Sequence, residues 1–214
     1  YEAKIKLQKT EMKALQAQIN PHFLYNSLSI INWKALEADN EEISRITLAL
    51  STYYRTSLNK GETMTIAANE IRNIDAYLQI QLIMHDNSFQ VIKEIQEDTL
   101  SYSVPKLILQ PLVENAIEHG LDVSEKEEKW LKISACKEKD ALIMAVEDNG
   151  MGMSEEQAKS IITYRSKGYG VRNVNDRITL LYGEEYHLRV KSRQGEGCRI
   201  EIVIPVNKEE KRYE

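Results

Sequence analysis

The sequence predicts an α+β protein in two parts. The first is an N-terminal helical hairpin that pairs with a second copy as a dimeric four-helix bundle; the second is an α/β sandwich whose mixed sheet is covered by helices on one face. Three observations predict this. Apolar residues through the first 60 positions recur at helical spacing, those from about residue 65 onward switch between helix and strand periods, and NKGET (59–63) between them reads as a linker. The two parts are expected at residues 1–62 and 63–214.

Ile5, Met12 and Ile19 stand one heptad apart with Leu15 between them, a short coiled-coil-like lead-in in which Gln8 takes one seam position. Pro21 removes a backbone donor and crowds the carbonyl of Ala17, so the helix should bend there. Beyond it Leu24, Leu28, Ile31 and Ala35 share a stripe, EADNEE makes a polar turn, and Ile43, Ile46, Leu50 and Tyr54 form a second stripe. Such a hairpin buries little alone, and a second copy would cover both stripes, so a homodimer is expected. In the second part, residues 66–84 read as a helix. Residues 89–97, 130–137, 141–148, 187–194 and 198–205 read as strands. Further helices are expected over 105–119, closed by Gly120; after the capping box of Ser154 and Gln157; and from 170 to about 182.

Charge and composition narrow the function. Lys and Arg number 28 against 33 Asp and Glu, a net charge of −5, and no long basic block occurs, which disfavours nucleic acid and anionic membrane as partners. The two cysteines, Cys136 and Cys198, lie far apart without a metal-ligand spacing, so neither a disulfide framework nor a zinc site is suggested. The longest apolar run, ALIMAV (141–146), falls far short of the roughly 18 residues of a membrane span. A reducing, cytoplasmic setting is expected. With Tyr1 in first place and no signal-peptide pattern, the chain reads as the cytoplasmic portion of a longer, membrane-anchored protein, joined to the membrane only through a segment it does not contain.

Three constellations in the second part carry chemistry. In QPLVENAIEHG (110–120), Asn115 and His119 interrupt the apolar stripe of Ile108 and Leu112; they are either satisfied core polar groups or, for Asn115, an oxygen ligand for Mg²⁺. EDNGMG (147–152) follows an apolar strand and is either an ordinary turn or a ligand loop, its glycines allowing close backbone approach and its aspartate offering an acceptor to an exocyclic amine. SKGYGVRNV (166–174) puts Gly-x-Gly at a helix start, where free amides favour phosphate. Each is weak alone, and their order and spacing together are strong.

LVENAIEHG, DNGMGM and GYGVRN resemble the N, G1 and G2 boxes of the histidine-kinase, gyrase and Hsp90 type of ATP-binding domain. QINPHFLYNSL (18–28) resembles the phosphoacceptor box of the LytS/YesM-type sensor histidine kinases. The resemblance runs from about residue 11 to residue 206. It implies an ATP:protein-histidine phosphotransferase that uses ATP and Mg²⁺, phosphorylates His22, and passes the phosphoryl group to the receiver domain of a response regulator. In it Asn115 ligates Mg²⁺, Asp148 bonds the adenine amine, Gly150 and Gly152 let the loop approach the base, and Gly168 and Gly170 close over the phosphates. Residues 153–167 would be the lid.

Two residues before Leu24, His22 is rotated about 200° from the first stripe and should face solvent, where an imidazole can attack a γ-phosphate. Asn26, one turn on, shares that face and could hold a water for dephosphorylating the regulator. Glu114 is a candidate proton acceptor by its closeness to Asn115, His119 a support for the phosphate site, and Arg165, Lys167 and Arg172 are available phosphate contacts. Two departures stand out: Glu118 where many relatives carry lysine, and Phe23 where other branches place an acid. A non-catalytic pseudokinase scaffold, or another ATPase or serine kinase on the same nucleotide fold, are the alternatives.

Overall fold

The structure is a computed structural model, and it describes residues 21–58, 63–163 and 169–206. The heptad lead-in and the turn preceding Pro21 lie outside these residues. So do Arg165, Lys167 and Gly168.

Helices α1 (Pro21–Glu37) and α2 (Glu41–Ser57) form the hairpin. Asp39 takes a left-handed φ of 54° in the turn, and Asn40 caps α2 by accepting the Ile43 N–H at 3.0 Å, with Glu41 and Glu42 favourably placed in the first turn. The two helices meet through Leu28 and Ala35 of α1 and are tied by Ser44 Oγ donating to Asn32 Oδ1 at 2.7 Å. One expectation changes here. Of the second stripe, Ile43 is exposed and Ile46, Leu50 and Tyr54 are only half-buried, whereas Ser44, Thr47 and Ala49 are buried. The reason is that α2 packs on both α1 and a third helix, and its polar residues are satisfied locally, Thr47 Oγ1 donating to Ile43 O at 2.7 Å. A band of large apolar residues, Phe23, Ile30, Trp33, Leu36 and Leu48, is left facing solvent.

The third helix, α3 (Ala67–Met84), follows a short strand β1 (Met64–Ile66) that pairs antiparallel with β3 (Ser103–Pro105). The main sheet has the order β2-β4-β5-β7-β6, from β2 (Gln90–Ile95), β4 (Trp130–Glu138), β5 (Ala141–Asp148), β6 (Leu188–Arg193) and β7 (Gly197–Pro205). β2 runs parallel to β4, and the other neighbours are antiparallel, so the sheet is mixed as predicted. One face carries Leu131, Ile133, Leu142, Met144, Ile200 and Ile202 into the core; the other carries ion pairs, Arg199 bonding Glu147 at 2.7 Å and Glu201 at 2.8 Å. The described hydrophobic core draws on residues from Ala67 to Ile204 and takes none from the hairpin.

The helix expected over 105–119 is the largest departure. Pro105 closes β3, and helix α4 begins only at Gln110 (Gln110–Asn115), running into a π-helical turn at Ala116–Leu121. Glu70 of α3 decides the start: its buried carboxylate accepts the N–H groups of Leu107 (2.6 Å), Ile108 (3.0 Å) and Leu109 (3.4 Å), holding Leu107 in a left-handed turn with φ 56°. Burial raises the Glu70 carboxyl above the usual range, and those three bonds together with Arg177 oppose the rise. Among the described residues two further α-helices follow: α5 (Glu155–Thr163), opened by the reciprocal capping box in which Ser154 N donates to Gln157 Oε1 (2.9 Å) and Gln157 N to Ser154 Oγ (3.2 Å), and α6 (Tyr169–Tyr182).

Candidate functional site

Where β5 ends, a cavity of about 490 Å³ opens between the sheet, the π-helical turn and α5. Asp148 is its floor. As the last residue of β5 it is 4 % exposed, and its carboxylate accepts the Gly150 N–H at 2.8 Å and the Cys198 N–H from the neighbouring strand. Burial nonetheless raises its pKa from 3.8 to about 6, with those two bonds opposing the rise. That shift corresponds to about 3 kcal/mol against the ionised form, which a ligand donor reaching the carboxylate would offset.

The loop after Asp148 folds back because glycines permit it. A Cβ on Gly150 would stand 2.2 Å from the carbonyl carbon of Gly120, and one on Gly120 would stand 2.7 Å from Asp148 Oδ1. Met151 N completes the contact by donating to Gly120 O at 3.0 Å. Gly152 adopts φ 66° against the Arg193 carbonyl. Gly120 is thus a close-approach residue inside the π-helical turn, and the expectation that it terminates a helix is corrected: the wider turn continues through it to Leu121. Asn149 is turned away from the cavity. It accepts the Trp130 N–H at 2.8 Å and donates to Glu128 O at 2.8 Å, clamping the start of β4.

The fold brings Asn115, His119, Asp148 and Gly152 to one cavity wall. Asn115 is half-buried and His119 exposed, so both stand at the rim of the apolar stripe. Glu114 is not brought there: its Oε1 accepts the Gln110 amide at 2.8 Å, on the side of α4 that meets the hairpin. Gly170 packs by Pro111, a Cβ there falling 3.1 Å from Pro111 Cβ, and Arg172 pairs with Asp176 at 3.4 Å; neither lines the cavity. The part of the expected lid that is described is residues 153–163, of which Met153, Gln157, Ser160 and Ile161 line the cavity. On the hairpin, His22 and Asn26 are both exposed, and Asn26 Nδ2 lies 3.2 Å from His22 Nδ1.

Sequence reasoning passed over Cys198, which lines the cavity beside Asp148 with its thiol pushed up to about 12 by burial and by the neighbouring carboxylate. It also passed over Gly197, whose φ of 111° lies where a Cβ would meet Asp148 O at 2.0 Å. The signal was present as GEGC (195–198), a Gly-x-Gly opening a strand.

These features define a class, an α/β sandwich with a nucleotide-sized cavity at one end of its mixed sheet. Residues 103–208 match the family described as "Histidine kinase-, DNA gyrase B-, and HSP90-like ATPase", and residues 10–89 match the family described as "Histidine kinase". The chain is 36 % identical over 208 residues to the sensor histidine kinase YesM of Bacillus subtilis, 33 % over 207 residues to the sensor protein LytS of Bacillus anthracis, and 32 % over 206 residues to the sensor histidine kinase BtsS of Escherichia coli. Those matches take in 97 %, 93 % and 94 % of this chain but only 35 %, 34 % and 34 % of the relatives, so the chain spans about a third of their length. The chain belongs to the sensor histidine kinases, in the branch of YesM and LytS. Among solved structures, the histidine kinase domain of a blue-light activated histidine kinase from Erythrobacter litoralis has the same fold, with a TM-score of 0.52 at 17 % identity over 93 % of this chain and 94 % of that one.

Proposed function

We propose that this chain is the kinase core of a two-component sensor: it transfers the γ-phosphoryl group of ATP to His22 and passes it to an aspartate on a response-regulator receiver domain. The observation that carries the reading is an exposed histidine on a helical hairpin in the same chain as a cavity floored by a buried carboxylate. A nitrogen of the His22 imidazole forms the bond to phosphorus, the bond to the leaving ADP oxygen breaks, and the ring loses its proton to a base. Glu114, on the hairpin-facing side of α4, is the candidate for that base. Asp148 holds the adenine amine, and Gly150 and Gly152 let the backbone approach the base. Lys167, Gly168, Gly170 and Arg172 are assigned to the phosphates. Asn115 supplies one amide oxygen at the cavity rim, and His119 supports the phosphate end.

Mg²⁺ fits this donor set. Among the described residues no group of three or more His, Cys, Asp and Glu could hold a metal by itself, and a lone amide oxygen suits an ion bound chiefly by phosphates and water. When bound it neutralises phosphate charge.

The apolar band of Phe23, Ile30, Trp33, Leu36 and Leu48 is the face on which a second copy completes a four-helix bundle. Residues 1–62 serve as dimerisation and phosphoacceptor unit and 63–214 as ATP-binding unit. No described helix is long and apolar enough to cross a membrane; the chain is assigned to the cytoplasmic side of a sensor anchored through another segment.

The test is direct. Incubated with labelled ATP and Mg²⁺, the protein should acquire label that is acid-labile and base-stable, as a phosphoramidate is; label with the opposite stability, or none, would discard the reading. Asn26→Ala should still be phosphorylated at His22 but should lose the ability to speed hydrolysis of the phosphorylated regulator, because the amide that lies 3.2 Å from the imidazole, and would hold a water there, is gone. Equal regulator lifetimes with wild-type and variant kinase would return Asn26 to the surface.

A further inference from the structure

The row of the sheet that carries Asp148 continues past it. Asp148 pairs with Cys198 across β5 and β7, and Cys198 pairs with Ser192 across β7 and β6. Residues directly opposite one another on neighbouring strands point to one face, so a carboxylate, a thiol and a hydroxyl stand in line at the cavity end of the sheet. Asp148 and Cys198 line the cavity, whereas Ser192 stands one strand beyond them and does not.

The Ser192 hydroxyl is engaged on both sides. Its Oγ donates to Gly197 O at 2.8 Å and accepts the Met153 N–H at 2.8 Å, which uses the single proton and one of the two lone pairs of a serine hydroxyl. The Cys198 side chain lies within hydrogen-bonding reach of it as well. The bond to Met153 matters because of where Met153 stands. It follows Gly152, whose φ of 66° turns the chain beside the Arg193 and Gly197 carbonyls; it lines the cavity; and it precedes Ser154, whose capping box opens α5. Other ties on this loop run from Gly150 N to the Asp148 carboxylate, from Met151 N to Gly120 O, and from Gly195 N to Met151 O at 2.6 Å. Those involve main chain or the cavity floor itself. Ser192 reaches in from a neighbouring strand, outside the cavity, and takes hold at the root of α5. Without that hydroxyl the Met153 amide has no acceptor in place, and a loop root left loose must be ordered again whenever a ligand binds.

We propose that Ser192 is a positioning residue of the nucleotide site: its hydroxyl, joining the Met153 amide to the Gly197 carbonyl, keeps Met153 at the cavity wall and fixes the root of α5, so that ATP meets a wall already in place. The consequence for ATP rests on the kinase reading above, while the hold on Met153 is open to measurement without it. Ser192→Ala removes the hydroxyl, Ser192→Thr keeps it, and Ser192→Val has the shape of threonine without it. Each is compared with the wild-type 214-residue chain by melting, by amide hydrogen exchange at Met153 without nucleotide, by calorimetric titration with ATP, and by initial rates of autophosphorylation at varied ATP.

In Ser192→Ala and Ser192→Val the Met153 amide should exchange faster by about fivefold or more, and the Kd and KM for ATP should rise by about fivefold, the value of one hydrogen bond. Their kcat should stay within about twofold of wild type, because the phosphate end of the site is untouched and bound ATP restores the wall. Ser192→Thr should match wild type in both exchange and KM. A hydroxyl that served stability alone would lower the melting temperature and the active fraction, reducing kcat with KM unmoved, and that result would overturn the proposal. So would Met153 exchange that is the same in wild type and Ser192→Val, or a threonine variant no better than the valine one. Should Ser192→Ala melt too low to assay, the threonine and valine pair decides the question at equal shape. If the wild-type chain binds no ATP, the kinase reading fails and the effect on ATP falls with it, and exchange at Met153 still decides whether Ser192 holds the root of α5.

Discussion

His22→Gln protein incubated with labelled ATP and Mg²⁺ is expected to take up no acid-labile phosphate at all while binding ATP as wild type does. Glutamine matches the reach of histidine, but its amide nitrogen has no lone pair to offer phosphorus. The side chain is exposed on α1, takes no part in the hydrophobic core and does not line the cavity, so its replacement opens no void in either. Surface substitutions of this kind change stability by no more than about 0.5 kcal/mol. Calorimetric titration with ATP and a melting curve provide the two controls. Label that persists would move the acceptor to another histidine. His119 at the cavity rim would then come first, since His85 is held by Asp122 at 3.1 Å.

Asp148→Asn is expected to weaken ATP binding by roughly a hundredfold or more and to leave the fold intact. In the wild type the carboxylate accepts from Gly150 N and Cys198 N, and an adenine amine would be a third donor. An amide in its place turns an NH₂ toward one of these donors, and a buried polar group left unmatched costs about 1–3 kcal/mol. GTP, with a carbonyl where ATP has its amine, should bind poorly to the wild type. Unchanged ATP affinity in the variant, or tight GTP binding, would remove Asp148 from the base site.

The pH dependence has opposite signs for binding and for folding. Burial keeps Asp148 from ionising until about pH 6. Affinity for the adenine amine should therefore fall as pH drops through 6, and the Asp148→Asn variant, which has no carboxyl to titrate there, should lack that fall. For folding, a carboxyl whose pKa is raised in the native state binds its proton more tightly there than in the unfolded chain. The Asp148 contribution thus opposes folding at neutral pH and is relieved as pH falls from about 6 toward 4. Melting of wild type and Asp148→Asn across that window separates this contribution from the other carboxylates, which mostly act in the reverse sense.

Much of the architecture was legible in local pattern. The strand Ala141–Asp148 appears with both ends where the apolar run and the Asp-Asn-Gly turn place them, because a central strand buried on both faces has an unmistakable composition. The capping box of Ser154 and Gln157 forms as read, since its bonds lie within three residues. Asn115, Asp148 and Gly152 could be singled out because each sits in a short motif with its own chemical logic. The helix expected from Pro105 could not be placed correctly, because its start is set by Glu70, a residue 37 to 39 positions away whose carboxylate takes three backbone donors. The second hairpin stripe failed for a similar reason. Periodicity shows that a face is apolar, but which face is covered depends on the helix that arrives from elsewhere, here α3.

The sequence by itself determined most of the elements, the QINPHFLYNSL segment and the glycine loops, because each rests on interactions among residues a few positions apart, where spacing alone dictates which side chains share a face. Tertiary structure decided what those elements do to one another. It set Gly120 against Gly150, put Cys198 beside Asp148, joined Gln110 to Tyr53, and closed Asn73 against Ser57 with one oxygen left unpartnered. The shortest of these juxtapositions spans 16 positions and the longest 57. Only the packed chain brings such residues within bonding distance, and only there does burial change what a carboxylate or an amide costs.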